Sequence, residues 1–386
     1  MTRRASRLLV SAILLGSALQ LHAQDSACFA PGQWRVPAAQ PVVTDAAAVV
    51  AAARNAQFVL LGEQHDNADH HRWQLHALAM LHAARPQMAI GLEMLPRRMQ
   101  PVLDRWVAGE LSEAEFLKQS DWANVWGYDS ALYLPILHFA RLHRVPLIAL
   151  NVERSLPREV GQRGWTAVPA ARKEGVGDPT PASEAYRAML RQWFRYHSDE
   201  AETAEDAVNF ERFVDAQLTW DRAMAEALFS ASRHDPAALV IGVIGSGHLR
   251  HGHGVPHQLR ALGAKRITVW LPLSADTPCN QLTAGLADAV FAIGSSSEAV
   301  PQRLGVVLDE SDGGPRVREV AAGSIAERAG VRSGDKVLSV AGARIASATE
   351  LVSAIKRQPP GTWLPLTVDR SGQSLELIAK FPAEAQ

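Results

Sequence analysis

Two patterns of apolar residues alternate along the first three quarters of the chain. Short unbroken runs at Phe58–Leu61, Met88–Leu92, Val145–Leu150, Ala238–Ile244, Arg266–Leu271 and Ala289–Ile293 have the length of strands buried on both faces. Between them, residues 44–55, 69–84, 97–107, 112–119, 131–143 and 256–262 carry apolar positions at three- and four-residue spacing, the signature of helices with one buried face. Ser112-Glu113-Ala114-Glu115 adds a capping-box start. Strand and helix in alternation predict an α/β fold, a mostly parallel sheet flanked by helices. Residues 28–41 are rich in breakers and predict an irregular lead-in, and 151–181 a loop with short helices. Two longer helical stretches, 183–197 and 204–233, predict a helical lobe able to close over the sheet ends.

The pattern changes after residue 293. Gly294-Ser295-Ser296-Ser297 reads as a flexible joint. From Pro301 onward come short strands, glycine-containing turns and one helix near 348–357, predicting a small β-rich unit. The expected division is a signal peptide at 1–23, an α/β domain at 24–293, a linker at 294–300 and the small domain at 301–386.

At 386 residues with 47% hydrophobic content, the chain can bury cores for two domains. A formal net charge of −1 lacks the basic excess of a phosphate-binding surface, so no nucleic-acid partner is expected. Arg3, Arg4 and Arg7, then an apolar stretch from Leu8 to Leu19 and small residues up to Ala23, form a secretory signal. Cys28 after Ser26-Ala27 resembles a lipoprotein cleavage box, but Asp25 stands where that box needs an aliphatic residue. Simple cleavage after Ala23 is the expectation, so a lipid anchor is not. The two cysteines, Cys28 and Cys279, can pair in an oxidising compartment or stay free.

Candidate chemistry collects where the apolar runs stop. Glu63 and His65 follow the first, Glu93 the second, Asn151 the third and His248 the fourth. Parallel strands joined by crossover helices deliver their carboxyl ends to one edge, so these residues can converge despite their separation. Two carboxylates with two imidazoles suit acid and base chemistry, with Glu63, His65, Glu93 and His248 as its catalytic groups. They also suit a divalent metal held by His65, Glu93 and His248. His70 opens the next helix, and His253 lies in a glycine-bounded loop beside a helix start. The chain has four tyrosines, Tyr128, Tyr133, Tyr186 and Tyr196. Aromatic residues between a sheet and a helical lobe can sandwich a flat apolar ligand, and tyrosinate can ligate ferric haem.

Leu61-Gly62-Glu63-Gln64-His65-Asp66 with His70-His71, then Gly91-Leu92-Glu93-Met94, then Gly245-Ser246-Gly247-His248 and Gly254-Val255-Pro256 together resemble the ChaN-like haem-binding uptake lipoproteins. That superfamily also contains Tiki metalloproteases and erythromycin esterases. The resemblance implies haem or a related porphyrin as ligand, with Tyr128, Tyr133, Tyr196, His70, His248 and His253 as candidate haem-binding residues. It further implies iron uptake in the periplasm or at the outer membrane, membrane association, and a homodimer sharing haem. The related branches keep a metal-dependent hydrolase or peptidase open as an alternative. The last domain resembles PDZ modules through residues 323–340. There Arg303, Leu304, Gly305 and Val306 stand at the carboxylate-binding loop and Leu351 on the facing helix, which implies docking of a peptide or protein C-terminus by strand addition.

Overall fold

Eight strands form the first sheet of the computed structural model, which describes residues 28–196, 204–294, 303–310, 313–356 and 358–383. The expected signal peptide and most of the expected linker lie outside these residues. The strands are β1 (Trp34–Val36), β2 (Val42–Thr44), β3 (Phe58–Glu63), β4 (Met88–Pro96), β5 (Leu147–Asn151), β6 (Leu239–Gly245), β7 (Ile267–Ser274) and β8 (Ala289–Ile293), in the order β2-β1-β8-β7-β3-β6-β4-β5. From β8 to β5 every neighbouring pair is parallel. Only β1 and β2 run antiparallel, as a hairpin on the edge.

That hairpin corrects the expectation of an irregular lead-in. Trp34 is buried against Trp73, Trp270 and Phe291, and aromatic packing of this kind holds a three-residue strand that propensity alone would not. Cys28 and Cys279 are joined by a disulfide, so the start of the hairpin segment is tied to the loop before β8.

The continuous apolar runs are explained by helices on both faces. Val59, Leu61, Ile90 and Leu92 pack beneath Trp73, Leu78, Leu103 and Leu137 from the helices Ala68–Ala84, Gln100–Ala108 and Leu134–His143. On the other face Phe58, Leu60, Val240 and Ile244 meet Met224, Leu228 and Leu259 from the helices Ala204–His234 and Gly254–Ala261. Asn67 starts the helix after β3: its Oδ1 accepts from the amides of Asp69 and His70 at 3.0 and 3.2 Å, which satisfies free first-turn donors. Ser112 and Glu115 form the expected capping box. The stretch after Asn151, expected as a loop with short helices, contains a nine-residue helix, Ser155–Arg163, whose Leu156 and Val160 pack on Ala216 and Ala223.

The second sheet is antiparallel. It comprises β9 (Val306–Asp309), β10 (Arg316–Val320), β11 (Lys336–Val340), β12 (Ala343–Arg344), β13 (Trp363–Arg370) and β14 (Gln373–Lys380), ordered β14-β13-β11-β10-β9 with β12 beside β11. It closes over its own core of Leu304, Val317, Val337, Leu351, Leu366 and Phe381. β9 pairs with β10 alone, so its outer edge is open among the described residues.

Candidate functional site

β3 and β6 run in parallel register with Glu63 opposite Gly245, and β4 lies on the far side of β6. The register of β4 with β5 shifts between Leu92 and Pro96, in the stretch that contains Glu93. Strand ends alone therefore bring Glu63 and Glu93 to either side of Gly245. Its backbone amide donates to Glu93 Oε2 at 2.6 Å. A Cβ at this position would stand 2.9 Å from His65 Cε1 and 3.4 Å from Glu93 Oε2, so glycine is what lets the two close in.

Glu63 is buried, and its Oε1 accepts from His65 Nδ1 at 2.7 Å and from the Tyr133 hydroxyl at 2.8 Å. His71 Nδ1 stands 3.4 Å from Glu63 Oε2, and its Nε2 donates to the His65 carbonyl at 3.1 Å. Burial raises the Glu63 pKa, but the hydrogen bond from His65 and the charge of His71 outweigh it and hold the carboxyl below its usual value. His65 moves the other way. Burial lowers its pKa, the bond to Glu63 and the field of Glu93 raise it more, and the net shift is upward. Tyr133 is held far above the phenol range by burial and by Glu63, so it serves as a hydrogen-bond donor to the carboxylate. That corrects its candidacy as a haem ligand, which requires tyrosinate.

A second chain of the same chemical order lies across the site, and half of it was not expected. Asp221, in the middle of the helix Ala204–His234, is fully buried. Its Oδ1 accepts from His248 Nδ1 at 2.6 Å and its Oδ2 from the Tyr186 hydroxyl at 2.8 Å. His248 Nε2 then faces Glu93 Oε1 at 3.8 Å. Burial lowers the His248 pKa, but the charges of Asp221 and Glu93 raise it further, to about 9, so the ring is an imidazolium at neutral pH. Asn151 supports the arrangement by donating to the Glu93 carbonyl at 3.0 Å.

His65, Glu93, Asn151 and His248 border a cavity of about 690 Å3, within the ~300–1,000 Å3 usual for small-molecule sites. His65, Glu93, Trp126, Tyr128, Trp220 and His248 line it, and Arg154 and Arg158 stand at its rim. The His65 ring lies 4.7 Å from that of Trp126 and 5.2 Å from that of Tyr128. Tyr128 is 39% exposed, and its hydroxyl has no partner among the described residues. His65 Nε2 is likewise unpartnered there.

The remaining candidates lie elsewhere. His70 lines a different cavity, and His253 stacks on Tyr186 at 5.4 Å, outside the linings of both. Tyr196 ends the helix Glu184–Tyr196, and its side chain lies outside the described residues. The expected metal triad of His65, Glu93 and His248 does not come together as a grouped site. Among the described residues no three His, Cys, Asp or Glu side chains are grouped as an ion would need, and His248 commits Nδ1 to Asp221 at 2.6 Å, leaving Nε2 3.8 Å from Glu93 Oε1. In the second sheet Gly305 (φ +82°) approaches Ser324 so closely that a Cβ would lie 2.4 Å from the Ser324 Cβ. Leu304 and Leu351 are core residues. Leu351 lies on the helix Ala348–Lys356 with its side chain in the core of this domain.

The model of the family described as haem-binding uptake, Tiki superfamily, ChaN matches residues 49–259. The chain belongs to this family. A PDZ family model matches residues 302–380, so the ChaN-like domain is followed by a PDZ domain. A solved ChaN of Campylobacter jejuni, described as binding haem cofacially, is 17% identical over 68% of this chain and 96% of its own, with a TM-score of 0.54, a likeness of fold. The PDZ domain of HtrA3 bound to a phage-derived ligand is 27% identical over 21% of this chain and 84% of its own, with a TM-score of 0.19. No curated protein matches the chain. The ChaN-like cavity suits haem in its chemistry: two indoles and a phenol for the ring, an unpartnered phenol oxygen and imidazole nitrogen as donors to iron, and arginines at the rim for carboxylates.

Proposed function

We propose that the ChaN-like domain binds haem, or a related porphyrin, in the cavity between Trp126, Tyr128 and Trp220, and serves iron uptake in the cell envelope. The observation that carries this reading is Tyr128, the one described tyrosine whose hydroxyl is both exposed and unpartnered, beside a histidine with a free nitrogen. Tyr128 Oη would hold the iron, His65 would take the phenol proton, and Arg154 and Arg158 would pair with propionates. Bound haem would supply a redox-active iron and a strong visible chromophore. The Glu63 carboxylate fixes His65 through Nδ1, as carboxylates orient histidines at metal sites.

Titrating the metal-free mature protein with haem tests this. A stoichiometric, shifted Soret band is expected, lost or weakened at least tenfold in Tyr128→Phe and retained in Tyr133→Phe. An unchanged band in Tyr128→Phe would refute the assignment. A homodimer sharing haem, as implied by family likeness, should appear as a doubling of mass by light scattering when haem is added.

A periplasmic or outer-membrane-associated location is supported by the Cys28–Cys279 disulfide, since such bonds persist in oxidising compartments. The PDZ domain would dock a peptide or protein C-terminus along the open edge of β9, with the carboxylate at the amides of Arg303, Leu304 and Gly305. Fluorescence anisotropy with a C-terminal peptide library, and its loss on amidating the peptide terminus, checks that role.

One observation favours a second reading, hydrolysis. The imidazolium of His248, held by Asp221, faces Glu93 inside the cavity. In this reading Glu93 takes a proton from water, which attacks an ester or amide carbonyl, and His248 protonates the leaving group. Turnover of p-nitrophenyl esters that disappears in Glu93→Gln would support it; no turnover above the buffer rate would dismiss it.

A further inference from the structure

A second concave site lies on the other side of the loop after β3. It has a volume of about 470 Å3 and sits over the carboxyl ends of β3, β7 and β8. Arg250, in the turn that follows His248, is the only formally charged side chain lining it, and no Asp or Glu does so among the described residues. Its guanidinium is half-buried and makes no hydrogen bond or ion pair among the described residues. Burial without a compensating charge holds its pKa below the usual arginine value. Arginine presents five donors in a planar fork that matches the two oxygens of a carboxylate or phosphate.

The rest of the lining consists of hydrogen-bonding groups without charge. His70 Nδ1 accepts from the Gln64 backbone amide at 2.9 Å, so its proton resides on Nε2, which is left as a donor. Ser246, Thr277 and Gln281 add hydroxyl and amide groups. A pocket with one unpaired cation, several neutral donors and no acid is built for an anion.

We propose that this pocket is an oxyanion site in which Arg250 forks onto the carboxylate or phosphate of a small ligand, with His70 Nε2–H as a second donor. The site is distinct from the cavity of His65 and Tyr128 and does not need that cavity to hold haem. Two sources share the chemistry: a free carboxylate or phosphate compound, or, if the haem reading holds, a propionate of haem reaching across the loop.

Calorimetric titration of the full mature chain with inorganic phosphate and with succinate tests the first source. Titration with haem and with haem dimethyl ester, whose propionates are blocked, tests the second. For a free anion, at least one small probe binds saturably at one site, Arg250→Gln weakens it at least tenfold, and both haem forms bind the variant and the parent alike. For a propionate, Arg250→Gln lowers haem affinity at least tenfold and leaves the dimethyl ester unaffected. Either result supports the site, and the small-probe arm reads it even if haem does not bind at all. Arg250→Lys and Thr277→Val, which keep a cation in place, are expected to weaken binding by smaller factors and keep the test readable should Arg250→Gln not fold. No saturable binding of phosphate or succinate, together with haem affinity indifferent to esterification and to every variant, overturns the assignment.

Discussion

The two hydrogen-bonded chains at the strand ends share one order, tyrosine to carboxylate to histidine, and differ in where the histidine stops. Tyr133, Glu63 and His65 end with Nε2 open to the cavity. Tyr186, Asp221 and His248 end against another carboxylate, Glu93. The first chain thus presents a nitrogen to the cavity, whereas the second holds a positive charge between two negative ones. Identical chemical order does not confer identical function; the last partner decides it.

The comparison breaks most severely at Asp221. Asp221→Ala leaves an imidazolium and a phenol without their buried acceptor, and removing one member of a buried pair costs about 3–5 kcal/mol. Denaturant unfolding of the variant should show a loss of that size. Next in size is a pH effect peculiar to the second chain. His248 has an ordinary value of 6.5 and a folded value of about 9. A group whose pKa rises on folding stabilises fully below its unfolded pKa, and that contribution fades as pH climbs through the folded one. Stability should therefore fall by about 3 kcal/mol between pH 6.5 and somewhat above 9, and a pH series of melts on Asp221→Asn should lack the fall. Glu63, with its pKa lowered, acts in the opposite sense: its contribution is present above the ordinary carboxyl value and is lost in acid as pH falls through its folded value.

Smaller still is Gly62→Ala. The new Cβ would lie 2.4 Å from Leu271 Cδ2 and 2.6 Å from Ser246 Oγ, an overpacking worth about 1–3 kcal/mol. The shift of β3 should also move His65, which its imidazole NMR signals would reveal. Smallest are Tyr133→Phe and Tyr186→Phe, each about 1 kcal/mol for one hydrogen bond, readable as paired shifts in melting temperature. These two should be alike, since the chains differ at the histidine and not at the phenol.

The first chain was legible in the sequence and the second only in part, for a physical reason. Glu63, His65, Glu93 and His248 each terminate an unbroken apolar run, and a parallel sheet assembles such ends without help from anything else. Asp221 is delivered by a helix, where an acid next to an arginine, Arg222, reads as solvated. One signal was available: Asp221 lies three residues from both Leu218 and Met224 and seven from Leu228, on the buried stripe of its helix. An acid in that register must find a partner inside. Tyr133 and Tyr128 illustrate the converse. Composition made them equal candidates, and only burial separates the one bonded to Glu63 from the one facing the cavity. The β1–β2 hairpin escaped notice because Pro37 and Pro41 bracket its turn and each strand is three residues long, below what alternation can reveal.

Resonance Raman spectra of the ferric haem complex test the central claim most directly, because bound tyrosinate gives its own vibrational modes. The account predicts those modes in the parent protein and in Tyr133→Phe, and their absence in Tyr128→Phe. Tyrosinate modes that persist in Tyr128→Phe, or vanish in Tyr133→Phe, would contradict it.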